Sequence, residues 1–420
     1  MVRVRQQFPD RSLADVGAEV RQTLAAARLA ERVPPGGSVA IGVGSRGISN
    51  LGVIVRAVVD YWRESGRKPF LFPSMGSHGA ATAEGQAAVL AHYGITEASM
   101  GCPLRSQLGV TDTGRTPEGI ETCVDSLALA SDGVMLINRI KWHTDFAGKI
   151  ESGLFKMMAI GLGKLAGARH YHTHIYKMGY EPVIRSVGRQ ILRTGKIVGG
   201  LAILEDANHN TARVEAVNAG EMERKEEELL ATAKQWMGRL PVPEVDILIL
   251  DEIGKNISGT GMDTKVVNRA SRDEYNPWPG GPRVERVFPR SLSPLSYGNG
   301  AGIGMADVIT DRLLEAIDWE PTIVNSLAAS TFTHMRVPMH FPTDRECLEK
   351  LAPTVGKFDL STVTYCRIRN SLELGRAVVS ENLLPVIEGK PRIKVVGKAA
   401  EMEFDAAGNL TELLAADQDW

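Results

Sequence analysis

Cysteine is scarce in this chain: Cys102, Cys123, Cys347 and Cys366 are the only four in 420 residues, and no two of them stand in a CxxC spacing. That argues against a disulfide framework and against a thiolate-built metal knuckle, and the simplest reading is four reduced thiols in a cytosolic compartment. Long hydrophobic runs are missing as well. No uninterrupted apolar stretch reaches the roughly 18 residues a membrane-crossing helix needs, and the N-terminus MVRVRQQFPD leads into no apolar signal region. The expected protein is soluble and cytoplasmic, without a membrane partner. Charge of one sign is lacking too: 48 Lys and Arg face 50 Asp and Glu, and no block of like charge occurs. Nothing stands ready to neutralise a phosphate backbone, so nucleic acid is not an expected partner.

What the chain does have is apolar content enough for two cores, 43% of its residues, and an order of elements that says how they are used. Apolar residues Leu13, Val16, Val20, Leu24 and Ala27 recur at helical spacing after Asp10 or Ser12 as candidate N-caps, and Pro34-Pro35-Gly36-Gly37 ends that helix. SVAIGV (38–43) then reads as a buried strand, VIVRAVVDYWRE as a helix, PFLFP as a strand, and TAEGQAAVLAHYG as a helix closed by Gly94. Strand, helix, strand, helix is the order of a parallel sheet covered on both faces. GVMLINRIK (133–141) and VGGLAILED (198–206) add two more strands, and a charged helix over about 219–238 follows. Pro241-Val242-Pro243 looks like a linker into a fresh strand, VDILILDEIG. The expected fold is therefore α/β with two domains, 1–240 with a parallel sheet and helices on both faces, and 241–420 a second α/β domain. The Gly/Pro/Ser-rich stretch from Asn276 to Gly304 is too long for a turn and reads as a binding loop or flap.

Gly42-x-Gly44-x-x-Gly47 directly after the first of these strands invites comparison with a dinucleotide turn, but the next strand ends Phe72-Pro73-Ser74 with no carboxylate to hold a ribose. Glycines there still let backbone N–H groups approach an anionic ligand, and Arg46 would add a bidentate fork for a carboxylate or phosphate.

Two histidines follow strands directly, His78 in PSMGSHGAAT and His143 in INRIKWHTDF, and so fall at the carboxyl edge where open α/β sheets bind ligands. An imidazole titrates near neutrality and suits either a proton donor or an acceptor. RHYHTH holds His170, His172 and His174; on a helix His170 and His174 share a face at a spacing used by zinc sites, but no HExxH base accompanies them. Lys156 lies between Phe155 and Met157-Met158. Partial desolvation there would make its amine nucleophilic or available as a tether, while a helix lysine snorkelling along apolar neighbours is the alternative.

Taken in order, GSHGAAT, HTDFAG, SGLFK and a histidine sixteen residues beyond that lysine resemble the nickel-dependent lactate racemase family over about Ser38 to Asp307. The resemblance implies two α/β domains with the active site in the cleft between them. It implies a nickel pincer nucleotide, a pyridinium-3-thioamide-5-thiocarboxylic acid mononucleotide, joined covalently to Lys156, with Gly44 and Ser45 beside it and His172 completing the nickel coordination, a set suited to square-planar nickel. It further implies His78 and His143 as the acid/base pair flanking the substrate carbon, and Arg46 with Lys255 as the clamp on the substrate carboxylate. The activity implied is racemisation or 2-epimerisation of a small-molecule 2-hydroxy acid by proton-coupled hydride transfer, with cofactor-maturation proteins as partners. Two histidines would serve two faces of one carbon.

This chain departs from the family pattern at two places. The acidic residue expected three positions before the arginine is Val43 here, in Val43-Gly44-Ser45-Arg46-Gly47, and the stretch between HTDFAG and the lysine is about three residues longer, with Glu151 where the pattern is small. Both point to a hydroxy acid other than lactate, larger or more polar, such as a sugar acid. In the C-terminal half, DEIGKNISGTGMD and YGNGAGIGMAD read as loops closing over nucleotide or substrate, with Asn256 and Asp263 as polar contacts, or as ordinary glycine turns. Two other functions fit the same residues: a zinc-dependent hydrolase using His170 and His174, and a non-catalytic protein that captures a carboxylate or phosphate with Arg46 and the glycine loops.

Overall fold

The computed structural model describes residues 1–44, 47–270, 274–329 and 331–411, with the side chains of 328 and 329 left out. By contacts the chain divides into two compact units, Asp10–Met237 and a second made of Met1–Pro9 with Gly238–Trp420.

In the first unit five strands form one sheet in the order Lys68–Pro73, Ser38–Val43, Gly133–Arg139, Ile197–Glu205 and Thr211–Asn218. The first four run parallel and the last is antiparallel. Alternation along the strands sends side chains to two separate cores. Val39, Ile41, Val43, Leu71, Met135 and Ile137 join a core with the helices Val16–Ala27 and Leu51–Glu64; Phe70, Phe72, Val134 and Leu136 join another with the helices Tyr180–Leu192 and Met222–Trp236. Both faces are covered, which is why these strands read as continuous apolar runs. The Val110–Arg115 and Glu121–Asp125 strands form a separate antiparallel ribbon.

The second unit holds a six-stranded mixed sheet. Arg283–Pro289, Glu244–Leu250 and Tyr365–Ile368 run parallel, and Arg376–Val379, Val2–Gln6 and Ile393–Val396 continue it antiparallel. The architecture is α/β throughout, with four parallel strands in the first sheet and three parallel strands making up one half of the second.

Two local expectations are corrected. The first helix is capped by neither Asp10 nor Ser12: Asp10 accepts from the Ser12 N–H, and Asp15, three residues before Ala18, accepts from the Ala18 N–H at 2.9 Å. The 276–304 stretch is not a flap, because RVERVFP within it forms the Arg283–Pro289 strand and only its flanks turn. The two glycine-rich loops of this unit pack on each other: a Cβ at Gly261 would lie 2.2 Å from the Ala301 carbonyl oxygen. Asp263 is spent capping the Thr264–Val267 turn, and Asn256 is exposed.

Candidate active site

Three parallel strands of the Asp10–Met237 unit end at one edge, delivering Gly44, the Ser74–His78 turn and the loop from Ile140 to Ser152. The segment that follows, a turn of α-helix Leu154–Lys156, a π-helical turn Met157–Leu162 and the helix Lys164–Met178, is tied to that edge. π-helical turns are concentrated at functional sites. The Asn138 amide donates to the Gly153 carbonyl at 2.8 Å. Gly200 makes room for the approach, since a Cβ there would meet both Leu154 methyls at 2.9 Å.

The lysine turn is capped from beneath. Glu226, fully buried, accepts the Phe155 N–H at 2.9 Å and that of Leu154 with one oxygen, while its other oxygen has no hydrogen bond. Burial is the first cause of its pKa rising to about 8, and the two backbone N–H groups only partly oppose it. A would-be Cβ on Gly44 lies 3.3 Å from both Asn138 Oδ1 and Met157 Cε, so the first glycine turn abuts the residue next to Lys156.

His78 is half-buried on a turn fixed by a second buried charge. Lys164, fully buried at φ +53°, donates to the Pro73 carbonyl, pairs with Asp125 at 3.1 Å and lies 3.4 Å from Gln86 Oε1. Desolvation lowers the Lys164 pKa and Asp125 pulls it back up. Gln86 in turn donates to the carbonyls of Met75 and Gly76. That turn lies against the segment carrying the lysine and the histidines, because a Cβ at Gly76 would meet Ile160 at 3.1 Å and Ala168 at 3.2 Å.

His143 is buried, and its Nδ1 accepts the Asp145 N–H at 3.0 Å, which places the proton of the neutral ring on Nε2. Its ring packs 4.6 Å from Phe146 and 5.3 Å from Tyr180; Phe146 and Tyr180 stack at 4.8 Å. Tyr180 then meets His172 edge-on at 6.1 Å. Burial first, then the Lys156 ammonium, holds the His172 pKa below the ordinary histidine value, with Asp145 opposing. A neutral imidazole is the form that ligates a metal.

Lys156, His172 and His143 thus share one neighbourhood, with Gly44 against its border and His78 on the adjacent strand end. Lys255 lies in the other unit, where its ammonium donates to the Gly259 carbonyl at 2.7 Å. Ser45 and Arg46 lie outside the described residues. His170 and His174 sit on the Lys164–Met178 helix with rings 4.9 Å apart, and among the described residues no three His, Cys, Asp or Glu are placed to hold a metal ion.

Sequence reasoning passed over Tyr180, Lys164, Gln86 and Glu226, and noted Glu151 only as a departure. Glu226 did leave a signal: with Met222, Leu229, Leu230 and Ala233 it falls on the buried side of a helix that otherwise reads as solvated charge.

No protein-family model matches the chain and no curated protein matches it. Among solved structures it is similar to the lactate racemase apoprotein from Thermoanaerobacterium thermosaccharolyticum, at 12% identity and a TM-score of 0.49, over 88% of this chain and 98% of that one. At that identity and score nothing about activity follows from the likeness.

Proposed function

We propose that the chain is a racemase or 2-epimerase of a 2-hydroxy acid that works with a nickel pincer nucleotide tethered to Lys156. The observation that carries this reading is a lysine amine close enough to the half-buried His172 to act on its charge, with Tyr180 touching both His172 and His143. Those residues fit such a group: Lys156 would supply the amine for a covalent amide-type link, and His172, its pKa held below the ordinary value, would offer nickel a neutral imidazole. When bound, that group supplies a reversible acceptor for the hydride of a substrate C–H bond.

The remaining work belongs to the protein. His143, neutral with its proton on Nε2, donates a hydrogen bond to the substrate oxygen, and His78, at the end of another strand of the same sheet, takes the hydroxyl proton and returns it when the hydride goes back to the carbon. Phe146 and Tyr180 hold the His143 ring in place and keep water from one side of it. Arg46 is the cation assigned to the substrate carboxylate, and orienting it is what makes the two faces of C2 distinguishable. The substrate class is a hydroxy acid larger or more polar than lactate, and proteins that make the nucleotide are required partners.

The test is denaturing mass spectrometry of the full chain expressed with nickel and the enzymes that make the nucleotide. A mass adduct on Lys156, absent from Lys156→Ala, is expected. An unmodified Lys156 under those conditions overturns the reading.

A further inference from the structure

The loop that carries His143 is longer than the family resemblance leads one to expect, and it contains its own fastening. Lys141 and Ser152 close its base with two backbone hydrogen bonds of 3.0 and 3.2 Å. Glu181 takes the N–H groups of Lys149 and Ile150 at its outer side, at 3.3 to 3.4 Å. Those contacts close a loop; they do not touch the histidine.

Glu151 does. It is fully buried, and its Oε2 accepts the backbone N–H of His143 at 2.5 Å. Its Oε1 accepts the Gly148 N–H at 2.9 Å and pairs with the Lys234 ammonium at 2.5 Å. Lys234 reaches in from the Met222–Trp236 helix and also donates to the Gly148 carbonyl at 2.7 Å. A carboxylate taken wholly out of water is tolerated only when its lone pairs are used, and here two N–H groups and an ammonium use them. One of those donors is the backbone of His143, whose Nε2–H is assigned to the substrate oxygen.

We propose that Glu151, held by Lys234, is the positioning residue of His143: through the His143 amide it fixes the imidazole between Asp145, Phe146 and Tyr180. The grip itself is independent of the reaction; its catalytic consequence rests on the isomerase reading above. Glu151 stands where the family pattern has a small residue, so the device belongs to this chain's longer loop.

Glu151→Gln keeps the size but leaves one acceptor oxygen for three donors and turns an NH2 toward one of them. Lys234→Met removes the ammonium and leaves both N–H bonds. Imidazole nitrogen NMR of the full-length protein, with the His143 signal identified by its loss in His143→Asn, reads the effect directly. In the wild type, His143 shows one tautomer with an acceptor Nδ1. In Glu151→Gln its two nitrogens move toward tautomer averaging while the His92 and His209 signals stay, and Lys234→Met shifts them the same way by less. Lys234→Arg restores the wild-type pattern. In the nickel- and nucleotide-loaded protein, kcat on the hydroxy acid it turns over falls on the order of 100-fold in Glu151→Gln while KM changes by less than about twofold. His143 signals that coincide with wild type in both Glu151→Gln and Lys234→Met overturn the proposal. The NMR measurement needs no substrate, so inactivity of the loaded wild type on every hydroxy acid refutes the isomerase reading alone.

Discussion

Glu226 shows how much a single side chain can settle. It comes from MERKEEELL, where its neighbours Glu223 and Glu227 pair with Arg185 near the surface, yet it is itself enclosed beneath the lysine turn. Burial raises its folded pKa to about 8, above the ordinary glutamate value of 4.5. The protonated form is therefore favoured by folding, so the stability it contributes is complete below pH 4.5 and is lost as pH rises through 8. Across that window wild-type stability should fall relative to Glu226→Gln by about 1.4 kcal/mol per pH unit. Urea unfolding of both proteins at pH 5, 6, 7 and 8 checks this; parallel stability profiles would show that Glu226 is not the titrating group. At this scale the sequence is legible for residues whose chemistry is rare. His78, His143, Lys156 and His172 stand out by type and spacing. Glu151, Lys164 and Glu226 do not, because an ionisable residue on a helix or loop reads as solvated until its burial is known, and only for Glu226 does helical periodicity carry a hint.

Elements were legible where one periodicity ruled. The strands at 38–43 and 133–139 and the charged helix ending at Trp236 follow from unbroken runs or a clear stripe. The RHYHTH segment defeats both periods, having polar residues on every face, and forms a helix because its small and aromatic residues Gly167, Ala168, Tyr171 and Ile175 pack inward. Arg283–Pro289 was hidden by the glycines and prolines around it. The turn after the second strand of the parallel sheet offers a test at this scale. Gly79 adopts φ +62° and a Cβ there would lie 2.4 Å from the Gly85 backbone, whereas Gly94, at φ +73°, faces open space. Gly94→Ala should lose about 1 to 2 kcal/mol, the left-handed backbone penalty alone. Gly79→Ala must also move a helix start, and should lose clearly more, with amide exchange accelerated over 74–82. Equal losses measured by denaturant unfolding would mean that the turn carrying His78 is not held against the following helix.

At the scale of the whole molecule, each unit is built on one large sheet, and one strand is out of sequence. Val2–Gln6 pairs with Arg376–Val379 and Ile393–Val396, so the first nine residues group with the C-terminal half and not with the chain that follows them. Nothing local announces such a pairing, since it is decided by a partner nearly 380 residues away. The unit from Asp10 to Met237 carries Lys156, His172, His143 and His78, and the account's central claim is that these serve one substrate carbon. The most direct measurement takes the full-length protein with its Lys156 adduct verified by mass and incubates it with single enantiomers of short and sugar-derived 2-hydroxy acids, separating the products by chiral chromatography. The account predicts inversion at C2 for one of these acids and its loss in His78→Ala and His143→Ala with the adduct retained. Unchanged configuration at C2 in every acid, with the adduct in place, would contradict it.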